Sequence, residues 1–381
     1  MREIGGAAVG RVRKAFEENF ARGEEIGSEV CVWQQGREVL RFGGGWRDVS
    51  ATVPWRDDTL VLVWSATKGP AAACVLHALQ QTGIALDAPV ASVWPEFSAG
   101  GKGGVTFAAL LAHRAGLAAL EREGPDIFDL EAVASALAAQ APLWTPDTAH
   151  GYAPRTFGYL LDAIIRRVAG IPLGEYWWRE FGKPLGLEFW IGLPGQLDGR
   201  VARMHAARAQ DLKEPGPFEQ ALADPASLTA ASFARPAGVA GAAATNRPEV
   251  WHWANPSFGG IGNARSLARF YDHLAAGGAF HGPWGCALTQ RVSNGPDLVL
   301  RQPTAFSAGF MMDPVDDEGT KLRSTLGPSV TAFGHPGAGG SLAFADPENR
   351  IGFAYVMNRM ENGVLRETRP ARLVRALYGM P

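Results

Sequence analysis

The chain has little cysteine and little lysine, and it lacks long apolar runs. Its three cysteines are too few and too scattered for a disulfide framework or a zinc cluster. The eight histidines show neither an H-E-x-x-H pattern nor another paired ligand spacing, so we expect no metal. No run of about 18 apolar residues is present, and the N-terminus lacks the apolar segment of a secretory signal. We therefore expect a cytoplasmic protein that has no membrane partner.

The charge is nearly balanced. Lysine and arginine number 36 against 38 aspartates and glutamates, and no basic run is present, which argues against nucleic acid as a partner. The glycine-rich run 259–262 lacks the strand-turn-helix spacing of a dinucleotide site, so we expect no cofactor. The absence of G-x-S-x-G excludes the nucleophile elbow of an α/β-hydrolase at the level of motifs.

Hydrophobic periodicity predicts the elements at both ends of the chain. The N-terminal part should contain a helix over 7–22, strands at 29–33 and 38–42 that turn at Gln35-Gly36, and a helix over 71–81. Alanine-rich helices should follow, with a long irregular excursion over 208–258. The remaining predicted elements are helices at 107–111, 130–139, 156–168 and 266–276, strands at 298–300, 308–312, 332–334, 342–344 and 351–357, and a closing helix at 370–378.

This order indicates an α/β (α+β) fold, in which strands from both ends of the chain form one antiparallel sheet flanked by helices. We predict a discontinuous α/β domain made of residues 1–83 and 290–381. An inserted, mainly helical domain should span residues 84–289, and the functional site should lie in the cleft between the two.

Ser65 and Lys68 form an S-x-x-K tetrapeptide at the start of the predicted helix. Residues three apart share a helix face, and the free N–H of a helix start can bind an oxyanion. A lysine held among apolar neighbours has a lowered pKa and can take the serine proton. The pattern therefore indicates a nucleophile with its own base. The tetrapeptide alone also fits an N-cap serine followed by a solvated lysine.

Tyr152 is the candidate for a third catalytic group. It lies in a loop bounded by glycine and proline, just before the helix predicted at 156–168, and such loops deliver side chains into clefts. We expect the pKa of its phenol to fall beside a lysine ammonium, which would make it a working base. The alternative is a tyrosine that packs its ring on the surface.

A third segment, residues 333–340, contains four glycines in eight residues, which lets the backbone approach a ligand closely. We expect the Ala338 N–H to pair with the Ser65 N–H as the two oxyanion donors. His335 is placed to hydrogen-bond either the substrate or the Tyr152 hydroxyl, and Gly337 to contact the substrate. Trp253, in a tryptophan-rich stretch, is a further candidate for an apolar substrate pocket.

These three motifs, in this order and spacing, resemble the signature of the serine β-lactamase and penicillin-binding-protein superfamily. The branch that they resemble most is the class C β-lactamase-like esterases, known as family VIII carboxylesterases. The similarity runs from about residue 7 to the end of the chain. It implies that Ser65, Lys68 and Tyr152 are catalytic and that no cofactor is needed.

Two departures from the family pattern bear on the substrate. Pro154 stands where the superfamily usually has asparagine, and His335 stands where it usually has the lysine that binds a substrate carboxylate. Histidine is mostly neutral at pH 7, so recognition of an anionic amide should be weak. The resemblance then implies hydrolysis of short-chain, uncharged esters through an acyl-enzyme on Ser65.

Several alternatives stay open at this point. A weak β-lactamase, a D-amino-acid peptidase or amidase, or an acyltransferase would use the same groups, and a silent binding protein could share the scaffold. The sequence also leaves open whether Lys68 or Tyr152 is the principal base, because the two titrations are coupled. It does not indicate the oligomeric state.

Overall fold

The strands of the protein form two antiparallel sheets in a computed structural model that describes residues 3–208, 214–362, 365 and 369–380. The strands are β1 (Gly27–Gln34), β2 (Arg37–Gly45), β3 (Val61–Leu62), β4 (Phe189–Ile191), β5 (Gly260–Gly262), β6 (Ser293–Pro296), β7 (Pro303–Phe306), β8 (Met311–Met312), β9 (Phe333–Pro336), β10 (Leu342–Asp346) and β11 (Ile351–Met357).

The helices surround these sheets and fill the middle of the chain. They are α1 (Gly6–Ala21), α2 (Lys68–Thr82), α3 (Phe107–Leu111), α4 (Leu130–Ala139), α5 (Thr156–Ala169), α6 (Leu173–Trp177), α7 (Pro217–Ala223), α8 (Leu228–Ala234), α9 (Gly241–Ala244), α10 (Pro248–His252), α11 (Ala264–Ala275), α12 (Pro283–Thr289) and α13 (Arg369–Tyr378). Short 3₁₀ or π turns lie at Trp64–Thr67, Val90–Ser92, Pro95–Gly101, Trp178–Gly182, Gly195–Arg200 and Ala338–Gly340.

The large sheet joins the two ends of the chain. Its eight strands run in the order β2-β1-β11-β10-β9-β8-β7-β6, and β1 pairs antiparallel with β11 in a register that places Val30 opposite Tyr355. Successive side chains of β1, β10 and β11 are buried throughout, because helices cover the sheet. The predicted α/β fold, with one antiparallel sheet built from both chain ends, is confirmed.

A smaller sheet anchors the segment before Ser65. Its three strands run in the order β3-β5-β4, so that β5, from the middle of the chain, pairs with β3, from the N-terminal part. This pairing links the inserted part of the sequence to the start of α2. The division of the chain into two domains stays a prediction.

One helix lies on the other side of the predicted domain boundary. The boundary at residue 289 assigns α11 to the helical domain, whereas α11 packs on β1, β10 and β11 of the large sheet. The physical reason is its strongly amphipathic sequence, which buries Leu267, Phe270 and Leu274 while its opposite side stays polar.

Three predicted elements differ from the structure. The strand predicted at 308–312 is limited to β8, because residues 308–310 form a bend. Residues 298–300, predicted as a strand, form a turn because the Asp297 carboxylate accepts the N–H groups of Val299 and Leu300 at 2.8 and 2.9 Å. The described part of 208–258, predicted as irregular, contains the four short helices α7 to α10. No helix in the described ranges is long and apolar enough to cross a bilayer.

The close packing of α11 on the large sheet gives a test of the fold. A Cβ atom on Gly352 would lie 2.0 Å from the Ala268 carbonyl oxygen and 2.3 Å from the Asp272 nitrogen. Since both contacts are backbone atoms, Gly352→Ala should lower the free energy of unfolding by about 1–3 kcal/mol. Gly44→Ala is the matched control on β2, where a Cβ meets nothing within 4 Å. Urea unfolding of both variants measures the difference, and equal stabilities would contradict this packing.

Candidate active site

Ser65 lies in a tight turn that β5 holds from both sides. The Val63 N–H donates to the Gly260 carbonyl at 2.9 Å, and the Gly260 N–H donates to the Thr67 hydroxyl at 2.9 Å. Trp64, just before Ser65, has a φ of 52°, a left-handed conformation that costs a non-glycine residue about 1 kcal/mol or more. The turn therefore presents Ser65 in a position fixed by its neighbours, with the side chain partly exposed.

Lys68 is fully buried directly beneath Ser65. Its Nζ lies 3.2 Å from the Ser65 Oγ and donates to the carbonyl oxygens of Pro154 at 2.9 Å and Ser257 at 2.8 Å. Burial lowers the pKa of the Lys68 ammonium well below its ordinary value, since no carboxylate among the described residues pairs with it. The predicted lowering of this pKa is found, and the alternative of a solvated lysine is not.

The second carbonyl partner of Lys68 was not predicted from the sequence. Ser257 lies in a turn in which its own hydroxyl donates to the Arg155 carbonyl at 2.5 Å and accepts the Gly158 N–H at 2.7 Å. A Cβ on Gly158 would lie 2.3 Å from the Ser257 nitrogen, so only glycine allows this approach of α5. Because the acceptor is a backbone atom, no residue type at this position could have revealed it.

Tyr152 is buried against the same amine. The Lys68 Nζ lies 4.9 Å from the centre of the phenol ring, and Tyr152 lines the same pocket as Ser65. Burial nevertheless raises the pKa of Tyr152 above its ordinary value, and the nearby Asp297 adds to the rise. The prediction that this pKa falls beside a lysine ammonium was therefore wrong, because desolvation of the phenolate dominates.

Asp297 holds the backbone of the Tyr152 loop, and sequence reasoning missed it. Its carboxylate accepts the Tyr152 N–H at 3.1 and 3.2 Å and the Thr304 hydroxyl at 2.8 Å. The ring of His150 completes the chain through a 2.9 Å hydrogen bond to Thr304. The sequence signal was limited to an aspartate that directly follows Pro296.

His113 supports the loop from below. Its Nδ1 accepts the Ala153 N–H at 3.2 Å, and its ring centre lies 5.3 Å from that of Tyr152 and 4.4 Å from that of Phe157. Burial lowers the pKa of His113 well below its ordinary value, so the ring is neutral and can accept this bond. His113 therefore braces the Tyr152 loop.

The glycine-rich segment after β9 passes close to the Ser65 turn. A Cβ on Gly337 would lie 2.2 Å from the Val63 carbonyl oxygen, and the Gly337 N–H donates to the Ser341 carbonyl at 2.6 Å. Neither the Ser65 N–H nor the Ala338 N–H has an acceptor within the described residues. Two unused backbone donors thus border the same pocket, and their role as the oxyanion donors stays a prediction.

A buried ion network fixes the turn that carries Ala338. The guanidinium of Arg369 donates to the Gly339 carbonyl at 3.2 Å and pairs with Glu25 at 2.7 Å and Glu361 at 2.5 Å. The Glu361 N–H donates to the same Gly339 carbonyl at 2.9 Å. A buried cation with two carboxylate partners and several carbonyl acceptors is well satisfied, so the turn has little freedom to move.

His335 lies beside Tyr152 with one unpartnered nitrogen. Its Nδ1 contacts the Pro336 carbonyl oxygen at 2.6 Å, a contact that requires Nδ1 to carry the proton. Its buried Nε2 has no partner among the described residues, and its ring centre lies 5.7 Å from that of Tyr152. Burial and the nearby Lys68 lower the pKa of His335 to about 3. The ring is therefore neutral at ordinary pH.

A narrow pocket of about 30 Å³ brings these residues together. Most of the residues predicted for the site line it, and Lys68 lies just behind. The lining residues are Ser65, Tyr152, Phe233, Leu300, Met311, His335, Pro336, Gly337, Ala338 and Leu365. No group of three or more potential metal ligands occurs within the described ranges.

Trp253 is not among the lining residues. It packs in an aromatic cluster with Phe128, Tyr159 and Phe258, at ring-centre distances of 4.8, 6.4 and 5.7 Å. The expectation that Trp253 borders the substrate is therefore corrected: it belongs to the core beneath the Ser257 turn. Tryptophan enrichment alone did not separate packing from binding.

Comparisons with known proteins agree with the fold and the site geometry. Residues 12–377 match the family model described as Beta-lactamase, and the chain therefore belongs to the β-lactamase family. Esterase/beta-lactamase LipL of Mycobacterium tuberculosis is 31% identical over 383 residues, which cover 94% of this chain and 84% of that protein.

Two solved structures are also similar along their whole length. A penicillin-binding protein homologue from Caulobacter crescentus superimposes with a TM-score of 0.87 at 35% identity, with 99% of each chain covered. A family VIII carboxylesterase superimposes with a TM-score of 0.84 at 32% identity, again with 99% of each chain covered. The resemblance inferred from the three motifs is thereby confirmed.

The neutral His335 predicts a pH dependence of stability. Its pKa is about 3 in the folded chain, against an ordinary value of 6.5. As the pH falls below about 6.5, the unfolded chain binds this proton before the folded chain does. The wild type should therefore lose stability relative to His335→Gln between about pH 6.5 and 3, by up to about 1.4 kcal/mol per pH unit.

Urea unfolding of both proteins at a series of pH values measures this difference. The comparison with His335→Gln cancels the contributions of the titrating groups that do not interact with His335. A difference that stays flat from neutral to acidic pH would contradict a buried, neutral imidazole.

Proposed function

We propose that this protein is a serine carboxylesterase that forms an acyl-enzyme on Ser65. The observation that carries the proposal is the contact between the Ser65 hydroxyl and the buried Lys68 amine, whose pKa is lowered. A serine next to a neutral amine, with two unused N–H groups at the same pocket, has the groups that acyl transfer requires. The esterase and carboxylesterase names of similar proteins support the same reaction class.

In the proposed first half-reaction, neutral Lys68 takes the Ser65 proton while the serine oxygen attacks the ester carbonyl. The N–H groups of Ser65 and Ala338 hold the negative charge that develops on the carbonyl oxygen. The carbon–oxygen bond to the alcohol then breaks, and the proton reaches the leaving alcohol through the Tyr152 hydroxyl. In the second half-reaction, water gives a proton to the same groups and attacks the acyl-enzyme, which releases the acid and restores Ser65.

Lys68 is the principal base in this proposal, and Tyr152 relays the proton. The reason lies in the opposite shifts of the two pKa values: burial favours the neutral amine, which can accept a proton, and the neutral phenol, which can donate one. Activity should therefore rise with pH through the lowered pKa of Lys68, because the neutral fraction of the amine grows.

Uncharged, short-chain esters are the proposed substrates. The pocket at Ser65 is small, and its histidine presents an unprotonated Nε2 instead of a fixed cation. A substrate carboxylate next to the unprotonated Nε2 of His335 would lose its hydration without gaining a hydrogen-bond donor. We also propose that the protein is cytoplasmic, as expected from the sequence.

A β-lactamase activity is the second candidate, because the similar LipL protein is named as both an esterase and a β-lactamase. The neutral His335 disfavours the carboxylate of such substrates. We therefore expect little turnover of nitrocefin, and substantial turnover that depends on Ser65 would favour this second candidate.

Substitution of the three side chains tests the mechanism. With p-nitrophenyl butyrate, Ser65→Ala and Lys68→Met should each lower kcat by about 10⁴-fold or more, because the nucleophile or its base is lost. Tyr152→Phe should lower kcat by about 10²-fold, since it removes only the proton relay. A larger loss in Tyr152→Phe than in Lys68→Met would reverse the assignment of the principal base.

Lys102→Met is the matched control for Lys68→Met. Lys102 is also a buried lysine that donates to two carbonyl groups, those of Ala99 and Gln140, and it does not line the pocket. It should lose stability while keeping kcat. Ester hydrolysis that survives in Ser65→Ala would show that the nucleophile lies elsewhere, and failure of a fluorophosphonate to label Ser65 would favour a silent binding protein.

A pair of substrates tests the preference for uncharged esters. p-Nitrophenyl butyrate and mono-p-nitrophenyl succinate have similar lengths, but the second carries a carboxylate. We expect kcat/KM to be at least about tenfold higher for the butyrate, because no fixed cation faces the chain end in the pocket. Equal values for the two esters, measured at pH 7, would contradict the role given to His335.

A further inference from the structure

Helix α8 stands between the pocket at Ser65 and a much larger groove. The groove has a volume of about 950 Å³ and lies between residues 123–126 and the segment 222–240. Phe233, near the end of α8, lines both the groove and the pocket, and it is the one residue of the described chain common to the two linings. Phe233 is therefore the residue that borders both spaces.

Helix α8, which carries Phe233, is hydrogen-bonded at both of its ends to loops of the site. At the start of α8, the Thr229 hydroxyl donates to the Val299 carbonyl at 2.7 Å, in the turn that Asp297 organises. At its end, the guanidinium of Arg155 donates to the carbonyl of Phe233 at 2.5 Å.

Arg155 also forms hydrogen bonds with the segment that follows α8. It donates to the carbonyls of Pro236 at 2.9 Å and Val239 at 2.6 Å, and it directly follows Pro154, whose carbonyl accepts a bond from Lys68. The position of Phe233 is thus tied to the same loop that positions the amine. The rings of Phe218 and Phe233 pack edge to face, at a ring-centre distance of 5.4 Å.

The groove beyond Phe233 has the chemistry of a site for an alkyl chain. Its lining includes the apolar residues Leu222, Pro225, Ala231 and Ala234, of which all but Ala231 are exposed to water. The charged lining residues are Glu123, Asp126, Arg155 and Arg235. Small side chains along a concave surface leave room for an unbranched chain, and burial of each methylene group from water is favourable.

We infer that Phe233 sets the limit on chain length by closing the pocket at Ser65 off from this groove. The ligand of the groove is the alkyl chain of a longer ester, from its acyl half or its alcohol half. This inference rests on the proposed function and adds to it a residue that determines specificity. In the wild type, short chains end against Phe233, and longer chains are disfavoured because they must displace a residue whose helix is held at both ends.

The variant Phe233→Ala tests the inference. We measure kcat/KM for two series: p-nitrophenyl acetate to octanoate, in which the acyl chain grows, and ethyl to octyl acetate, in which the alcohol grows. Phe233→Ala should raise the ratio of long-chain to short-chain kcat/KM by about tenfold or more in one of the series. The series that responds identifies which half of the ester occupies the groove.

Two further variants keep the test specific. Ala231→Trp, added to Phe233→Ala, refills the groove and should return the ratio to the wild-type value. Phe20→Ala removes the same side chain from a partly buried site on α1 and should leave the ratio unchanged. An unchanged ratio in Phe233→Ala for both series would overturn the inference, as would a gain that survives Ala231→Trp.

Ser65→Ala separates this inference from the proposed function. If Ser65→Ala is inactive and Phe233→Ala shows a flat ratio, only the role of Phe233 is overturned. If Ser65→Ala still hydrolyses the esters, the proposed function itself is wrong.

Discussion

The burial of one amine among backbone carbonyls is the constraint on which the rest of the site depends. Lys68 has no carboxylate partner among the described residues, so its charge would be costly at this depth. The carbonyls of Pro154 and Ser257 accept from the neutral amine and aim it at the Ser65 oxygen, 3.2 Å away. The same burial that disfavours the charge thus favours the neutral amine that the proposed mechanism uses as a base, and each loop around the amine must supply a carbonyl instead of a counter-ion.

The topology explains why these loops meet. The strand β3 before Ser65 pairs with β5, which follows directly after the Ser257 turn, so one small sheet brings two partners of the amine together. The chain that follows β9 reaches the same place because Gly337 has no side chain to clash with the Val63 carbonyl. Distant parts of the sequence therefore meet through strand pairing and one glycine contact. The backbone fixes the positions of the loops, and the side chains add the functional groups of the site.

The site residues that lie close together in the sequence were predictable, whereas the distant residues that surround them were not. Ser65 and Lys68 are spaced as neighbours on a single helix turn, and the glycines near Ala338 indicate a close backbone approach. The pair of side chains and the glycine-rich segment could therefore be found from the sequence. The carbonyl of Ser257, the carboxylate of Asp297 and the ring of Phe233 act across long sequence distances that no periodicity encodes. The pKa of Tyr152 was mispredicted for a related reason: its direction depends on burial, which only the assembled fold defines.

The neutral character of the site follows from the same physical argument. A lysine at position 335 would place a second ammonium near Lys68 in a buried site, where each charge disfavours the other and neither has a carboxylate. Histidine avoids this conflict because its Nδ1 proton goes to the Pro336 carbonyl and its ring stays uncharged. The consequence is a pocket whose donors are two backbone N–H groups and a phenol, all of which suit a developing oxyanion or a leaving alkoxide better than a permanent anion. The proposed preference for a neutral ester then follows from the buried amine itself, because any fixed cation added to bind a carboxylate would also change the pKa of the proposed base.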